Sequence, residues 1–314
     1  MSQRSTIEIG RSAVLALCMM HLLGACLETS PEAAASAEDG DTEVARENDE
    51  ILALLEERGV PLERVEIGER YVVYEDDILI DRQDLLDQAR GTVPKAYWLA
   101  NYSDDNDHPE GSVNGYPITE TDTFAYWFSA PPVSAFIVDD LYLMPQAADV
   151  PAGHPAEGLY LNSDWQDAFE YAAEKWSEVY ISFFGFPLQS RISIDYGFRF
   201  GRPWGSQINI RYCDISWPTI GQGQAPSWGL PGQNICVNRD FDSSPDSLKR
   251  SVAIHEIGHT LGFAHCNTGF SNSVVIPGTD DGVCGIEAVM FSGSSSEEFT
   301  DDERLGIVTM YPPD

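Results

Sequence analysis

Positive charge is what this sequence has least of. Its 314 residues hold 18 Lys and Arg against 51 Asp and Glu, a formal net charge of -33 at pH 7. Phosphate binding needs a basic patch, so nucleic acid is excluded as a partner, and an anionic membrane surface is excluded as a docking site. The acidic excess bears on solubility and not on fold. Long apolar runs are also missing. The longest, from about Ala13 to Ala25, is too short to read as a membrane span. None of the six cysteines stands in a C-x-x-C pair, which argues against a cysteine-held zinc. Histidine is equally scarce at six, yet three of the six fall between 255 and 265. What the chain does have is apolar content, 43% of residues, enough for one large domain with smaller N-terminal pieces.

The N-terminus reads as an export signal. Arg4 and Arg11 flank a polar start, and the short apolar stretch that follows fits a signal core. It ends Leu23-Gly24-Ala25-Cys26, which resembles the lipobox of bacterial lipoproteins. The resemblance implies a signal peptide over 1–25 and a lipid on Cys26 as the only membrane attachment. With Leu27 next, and no acidic residue there, it implies an exported lipoprotein of the outer membrane or cell surface. Once Cys18 and Cys26 are set aside, Cys213, Cys236, Cys266 and Cys284 remain. An even set in an exported chain predicts disulfides, with three pairings open. The sequence neighbours, Cys213 with Cys236 and Cys266 with Cys284, are the favoured pairs.

Composition then shifts along the chain. Residues 26–50 are acidic and free of aromatics, the signature of a disordered tether. Residues 51–94 form a small unit: a short helix from Ile51, then Tyr71–Tyr74 and Ile78–Ile80 flanking Glu75-Asp76-Asp77, which predicts a hairpin. Asp84–Ala89 reads as a helical turn. The acidic loop Ser103–Gly111 lacks the spacing of an EF-hand, so calcium is a cofactor candidate with no clear motif behind it. Thr123–Phe128 and Ser134–Leu143 read as strands. Ser163 with Gln166 reads as a capping box opening a helix. Trp165, Ala168, Phe169, Ala172, Trp176, Val179 and Tyr180 recur at its period as a core face. Arg191–Tyr196, Gln207–Tyr212 and Asn234–Asn238 read as strands, the last an edge strand that could take extended substrate.

The scarce histidines carry the chemistry. Residues 255–265 read His-Glu-Ile-Gly-His-Thr-Leu-Gly-Phe-Ala-His. Leu248, Val252, Ile254, Ile257 and Leu261 predict a buried helix here, with Asp246 or Ser247 as its cap. Positions four apart share a helix face, so His255 and His259 can reach one metal ion, with Glu256 turned toward a water on that metal. Gly262 permits the left-handed residue that ends the helix, and the chain can then return His265 as third ligand. Three protein ligands leave one position open, the arrangement of a catalytic zinc. His108 and His154 read as surface histidines.

This pattern resembles the metzincin zinc peptidases. Ala288-Val289-Met290-Phe291 resembles their methionine turn, with Met290 as a hydrophobic floor, and Thr300 with Glu303 opens a C-terminal helix stopped by Pro312. The HEIGH form of residues 255–259 is similar to the bacterial dual-action HEIGH metallopeptidases. The resemblance implies an α/β, metzincin-like zinc peptidase domain over 95–314, with a twisted mixed sheet, an active-site helix and a C-terminal helix, preceded by a small pro-like unit. It implies an endopeptidase acting on protein or peptide substrates, with zinc on His255, His259 and His265 and Glu256 as general base. A tyrosine that some relatives carry two residues after the methionine is Ser292 here, so no tyrosine is assigned to the reaction. Tyr74-Glu75-Asp76-Asp77 resembles the F-x-G-D segment of astacin propeptides, whose aspartate caps the zinc. That implies a latency switch at Asp77, although the glycine is absent and an acidic turn would use the same residues. A binding module that only kept the metal would not need Glu256. A non-peptide hydrolase would keep the same motif. Oligomeric state is not readable.

Overall fold

The computed structural model describes residues 32–57, 60, 62–91, 112–113, 116–117, 126–127, 135–183, 185–197, 205–226, 230–266, 274–275 and 285–313. The signal-like segment with Cys26, the Ser103–Gly111 loop and Cys284 lie outside these residues. Two compact units divide the chain, Met1–Val44 and Ala45–Asp314. Of the first, the described part is helical, the start of α1 (Glu32–Glu57). That helix takes in most of the acidic stretch expected to be a tether, because Ala and Glu are among the strongest helix formers. All that follows concerns the second unit. Among the described residues no helix is long and apolar enough to cross a membrane.

Strands β1 (Val65–Ile67), β2 (Tyr71–Tyr74) and β3 (Ile78–Asp81) make an antiparallel meander, and α2 (Arg82–Ala89) follows. The β2–β3 hairpin falls where the sequence predicts it. The remaining framework is β4 (Leu141–Pro145), α3 (Ser163–Ser177), β5 (Ile194–Tyr196), β6 (Gln207–Cys213), β7 (Gly221–Gln224), β8 (Asn234–Asn238), α4 (Asp246–Leu261) and α5 (Asp301–Met310). Eight strands form one mixed sheet in the order β1-β2-β3-β7-β8-β6-β4-β5. Strands β5, β4, β6 and β8 run parallel, β7 is antiparallel to β8, and β3 adds parallel to β7. The α/β class and the mixed sheet therefore stand.

Several local expectations change. β8 is not an edge strand: it lies between β6 and β7 with all five residues buried. The segment read as a strand from Ser134 instead turns through a short helix, Ala135–Val138, before β4, since a short apolar run has no period to separate helix from strand. Asn162 caps α3, accepting the Trp165 N–H at 2.9 Å, and Ser163 is the first helical residue. Trp165, Ala168, Phe169, Ala172, Trp176 and Val179 are buried as predicted. Tyr180 is exposed because α3 ends at Ser177 and the helical period no longer places it. No side chain caps α4, whose N-cap is Pro245.

Packing joins these elements into two apolar clusters. The larger buries α3 and α4 against the parallel strands, with Val289, Met290, Ile307 and Tyr311 closing its far side. Trp176 is fully buried and satisfies its indole N–H on Ile254 O at 2.9 Å, which sets α3 against α4. The smaller holds Ile51, Leu54, Leu55, Val72, Ile78, Ile80, Leu85 and Leu86, and it takes in Ala225 and Ala264. Ala225 follows β7 and Ala264 precedes His265, so the β1–β3 meander is packed onto the segment carrying the histidines. Cys213 and Cys236 are disulfide-bonded, tying β6 to β8 as favoured from the sequence. Cys266 is disulfide-bonded too.

Candidate metal centre

Helix α4 is buried along most of its length, which suits a helix that must hold side chains rigidly from beneath. His255, Glu256 and His259 project from it as the four-residue spacing requires. Gly262 ends it at φ 103, a left-handed residue, with its N–H on His259 O at 3.0 Å. The chain then turns back through Phe263–Ala264 and delivers His265. Cys266 N–H bonds Met290 O at 2.9 Å, locking the third histidine to the methionine turn. The turn is braced in its own right. Glu303, the N3 residue of the α5 capping box with Thr300, accepts the Met290 N–H at 2.8 Å. The side chain of Met290 lies against Gly258.

Three imidazoles converge. His255 Nε2 lies 3.0 Å from His259 Nε2 and 3.0 Å from His265 Nε2. Their outer nitrogens decide what the inner ones can be. His255 Nδ1 donates to Val289 O at 2.7 Å, and His259 Nδ1 donates to Phe263 O at 2.8 Å. A carbonyl only accepts, so each Nδ1 carries a proton and Nε2 is the nitrogen turned to the centre. Burial, and then the neighbouring His255, hold the pKa of His259 well below its usual value, which keeps it neutral. The three Nε2 atoms, turned toward one another at 3.0 Å from His255, are placed so that they could share one cation.

Asp77 supplies a fourth donor. Its Oδ2 is 3.0 Å from His265 Nε2 and 3.6 Å from His255 Nε2, and its Oδ1 is 3.9 Å from His259 Nε2. The four donor atoms lie within 4.8 Å of one another. Burial opposes the Asp77 charge, but the surrounding histidines, His265 foremost, hold its pKa well below the usual range. Burial likewise opposes charge on His265, and the Asp77 and Glu75 carboxylates outweigh it, pushing its pKa up to about 10. Three imidazole nitrogens and one carboxylate oxygen are a donor set that fits zinc. Both Asp77 Oδ1 and Glu256 Oε2 are buried without a hydrogen-bond partner, as atoms awaiting an ion and its water would be.

Glu256 sits beside the centre, fully enclosed. Burial, reinforced by Asp77, pushes its pKa well above the ordinary carboxylate range. Its neighbour is β7, and here the sequence reading missed an element. Gly-Gln-Gly-Gln has little strand character, and glycine is depleted from strands. A Cβ at Gly221 would stand 2.7 Å from Glu256 Oε1, and one at Gly223 would stand 2.6 Å from Glu256 O and 2.8 Å from His259 Cβ. The alternating glycines let the strand lie directly on the metal helix, and that alternation is the signal that could have located it. Beside the centre is a cavity of ≈ 290 Å³, walled by Ile220, Leu248 and Val252 and rimmed by Ser292, Gly293 and Ser294. A larger hollow of ≈ 590 Å³ near Lys175 and Arg304 holds none of the histidines.

A histidine pair one helical turn apart, a third histidine past a glycine turn and an adjacent buried glutamate make a centre that could hold a metal ion. Residues 163–302 match the dual-action HEIGH metallo-peptidase family, a span that contains all three histidines, Glu256 and Met290. The resemblance read from residues 255–259 is thus shown for that segment. Two solved structures of myroilysin are similar at 14% identity and TM-score 0.31; one match covers 55% of this chain and 93% of that one, the other 70% and 97%. No curated protein matches.

Proposed function

We propose that the chain is a zinc-dependent endopeptidase of the metzincin type, exported as a lipoprotein anchored through Cys26. The observation that carries the catalytic reading is the convergence of the buried Nε2 atoms of His255, His259 and His265, with the enclosed carboxylate of Glu256 beside them. His255, His259 and His265 would hold the zinc, which when bound would lower the pKa of a bound water to about 7 and polarise a peptide carbonyl. The chain's own residues do the rest. Glu256 takes the proton from the attacking water and passes it to the leaving amine. Val289 O and Phe263 O hold two rings in the tautomer that leaves Nε2 available. Met290 packs beneath them.

Latency belongs to the same reading. β3 occupies the flank of β7, with Gly223 N–H on Asp77 O and Ala225 N–H on Leu79 O, both at 2.9 Å. An extended substrate would need that flank. The Glu75–Asp77 turn stands over the centre, with Asp77 in the fourth donor position. The β1–β3 meander therefore acts as a pro-segment, and its displacement opens both the strand flank and the metal. The ≈ 290 Å³ cavity then receives a substrate side chain against Ile220, Leu248 and Val252.

The decisive experiment is digestion of unfolded casein by the chain beginning after Cys26, with and without proteolytic nicking between the meander and β4. Zinc is present, Glu256→Ala is run in parallel, and peptides are read by mass spectrometry. Peptides from the nicked parent and none from the variant are expected. Equal cleavage by both would remove Glu256 from the mechanism.

A further inference from the structure

Each histidine of the centre has its outer nitrogen held, but the three holders differ in origin. His255 and His259 are held by backbone carbonyls of the segment 163–302, at Val289 and Phe263. His265 is held by a side chain 190 positions away, the Glu75 carboxylate of the β2–β3 turn, with Oε2 at 3.0 Å from Nδ1. Glu75 is itself fixed. It is buried, its Oε1 accepts from Arg64 Nη1 at 2.6 Å, and its own N–H donates to Arg64 O at 3.0 Å. The turn adopts an unusual backbone to achieve this. Glu75 and Asp76 have φ of 56 and 73, left-handed values that residues other than glycine rarely adopt. The consequence is that one turn places a carboxylate on each nitrogen of the same ring, Glu75 on Nδ1 and Asp77 on Nε2.

We infer that Glu75 is a positioning residue for the third metal ligand. Its carboxylate selects the Nδ1–H tautomer of His265, holds the ring plane and makes Nε2 a stronger donor, as a carboxylate behind a ligating histidine does. The inference rests on the metal-site reading above. It gives the β2–β3 turn two opposed roles. Through Asp77 the turn covers the centre, and through Glu75 it helps to build it. Metal affinity is then a property of the chain with the meander in place, so the ion is taken up before the meander leaves.

The test is zinc affinity of the full chain after Cys26, measured by competition with a chromophoric chelator at neutral pH, together with the visible spectrum of the cobalt form. Glu75→Ala is expected to weaken zinc binding about 10- to 100-fold, the loss typical of an outer-sphere partner, and to shift the cobalt bands. Glu75→Gln, which keeps the size and an acceptor oxygen but not the charge, should fall between parent and Glu75→Ala. Because Gln preserves the packing, it decides the matter if Ala does not fold. A purely structural role through Arg64 would lower the melting temperature of the metal-free chain and leave zinc affinity and the cobalt spectrum at parental values. That outcome overturns the inference while the metal site stands. A parent that binds no zinc overturns the metal-site reading, and this inference with it.

Discussion

Gly258 is the position where two physical effects of opposite sign meet, so Gly258→Ala is an informative perturbation. In the interior of a helix alanine is favoured over glycine by about 1 kcal/mol, and on propensity alone the variant would be more stable. The packing opposes this. A Cβ at 258 would overlap the Met290 sulfur, stand 3.0 Å from Met290 Cε and reach 3.2 Å from Trp176 Cζ2. Carbon pairs are at their best near 3.5–4.0 Å, so something must move. Trp176 cannot, because it is fully buried, bonded to Ile254 O and packed edge-on against Phe299 at 4.8 Å. The main chain of Met290 is held on both sides, by Glu303 and by Cys266. The thioether must therefore swing away from α4. Overpacking of this kind costs about 1–3 kcal/mol, which less the helix gain leaves a net loss of up to about 2 kcal/mol and a melting temperature lower by up to about 8 °C. Differential scanning fluorimetry, with and without zinc, measures it. A melting temperature at or above that of the parent would mean that Met290 yields freely and that Gly258 is not there to admit it.

Three further outcomes are expected. Asp77→Ala should release only part of the nicked parent's activity in the un-nicked chain in the casein assay, because β3 still lies along β7; wholly unchanged latency would refute Asp77 as a block on the metal. Replacing Cys213 and Cys236 together by serine removes a link across a sequence separation of 23. It should cost about 3 kcal/mol by chain entropy, read as a lower urea midpoint. Asp164 pairs with the buried ammonium of Lys249 at 3.1 Å, and that bond holds its pKa below the usual carboxylate value. A depressed folded pKa stabilises above the unfolded value and is lost as pH falls through the folded one. Asp164→Asn should therefore lower the melting temperature at neutral pH, and the difference should shrink as the pH drops below about 4. A pH-independent difference would count against the ion pair.

The centre was legible in the sequence because its ligands are local. Helical spacing, Gly262 and the return to His265 lie within eleven residues, and the structure brings them together as that spacing requires. Helix α3 was legible for the same reason, through a regular apolar period, and so were the β2–β3 hairpin and the Thr300–Glu303 cap. Strand β7 was not, since its glycines carry no strand preference and their purpose is the backbone of α4, which lies on another element. The buried position of β8 could not be read either, because which strands flank a strand is settled by pairing and not by its own residues. Asn162 displaced Ser163 as the cap of α3 by a single residue, a choice made by backbone geometry at the helix entry.

Asp77 was picked out by its motif, but Glu75, two residues earlier, was not. Nothing in Tyr-Glu-Asp-Asp says which carboxylate faces the third histidine. That depends on the left-handed turn at Glu75 and Asp76 and on β3 docking beside β7, 146 positions away along the chain at Gln222 and Asp76. By itself, then, the sequence marked out the three histidines, the adjacent Glu256 and the helix that carries them, because those follow from short-range periodicity and side-chain chemistry. Only the tertiary structure decided what holds the third ligand and what covers the metal, because both come from packing one distant segment against another.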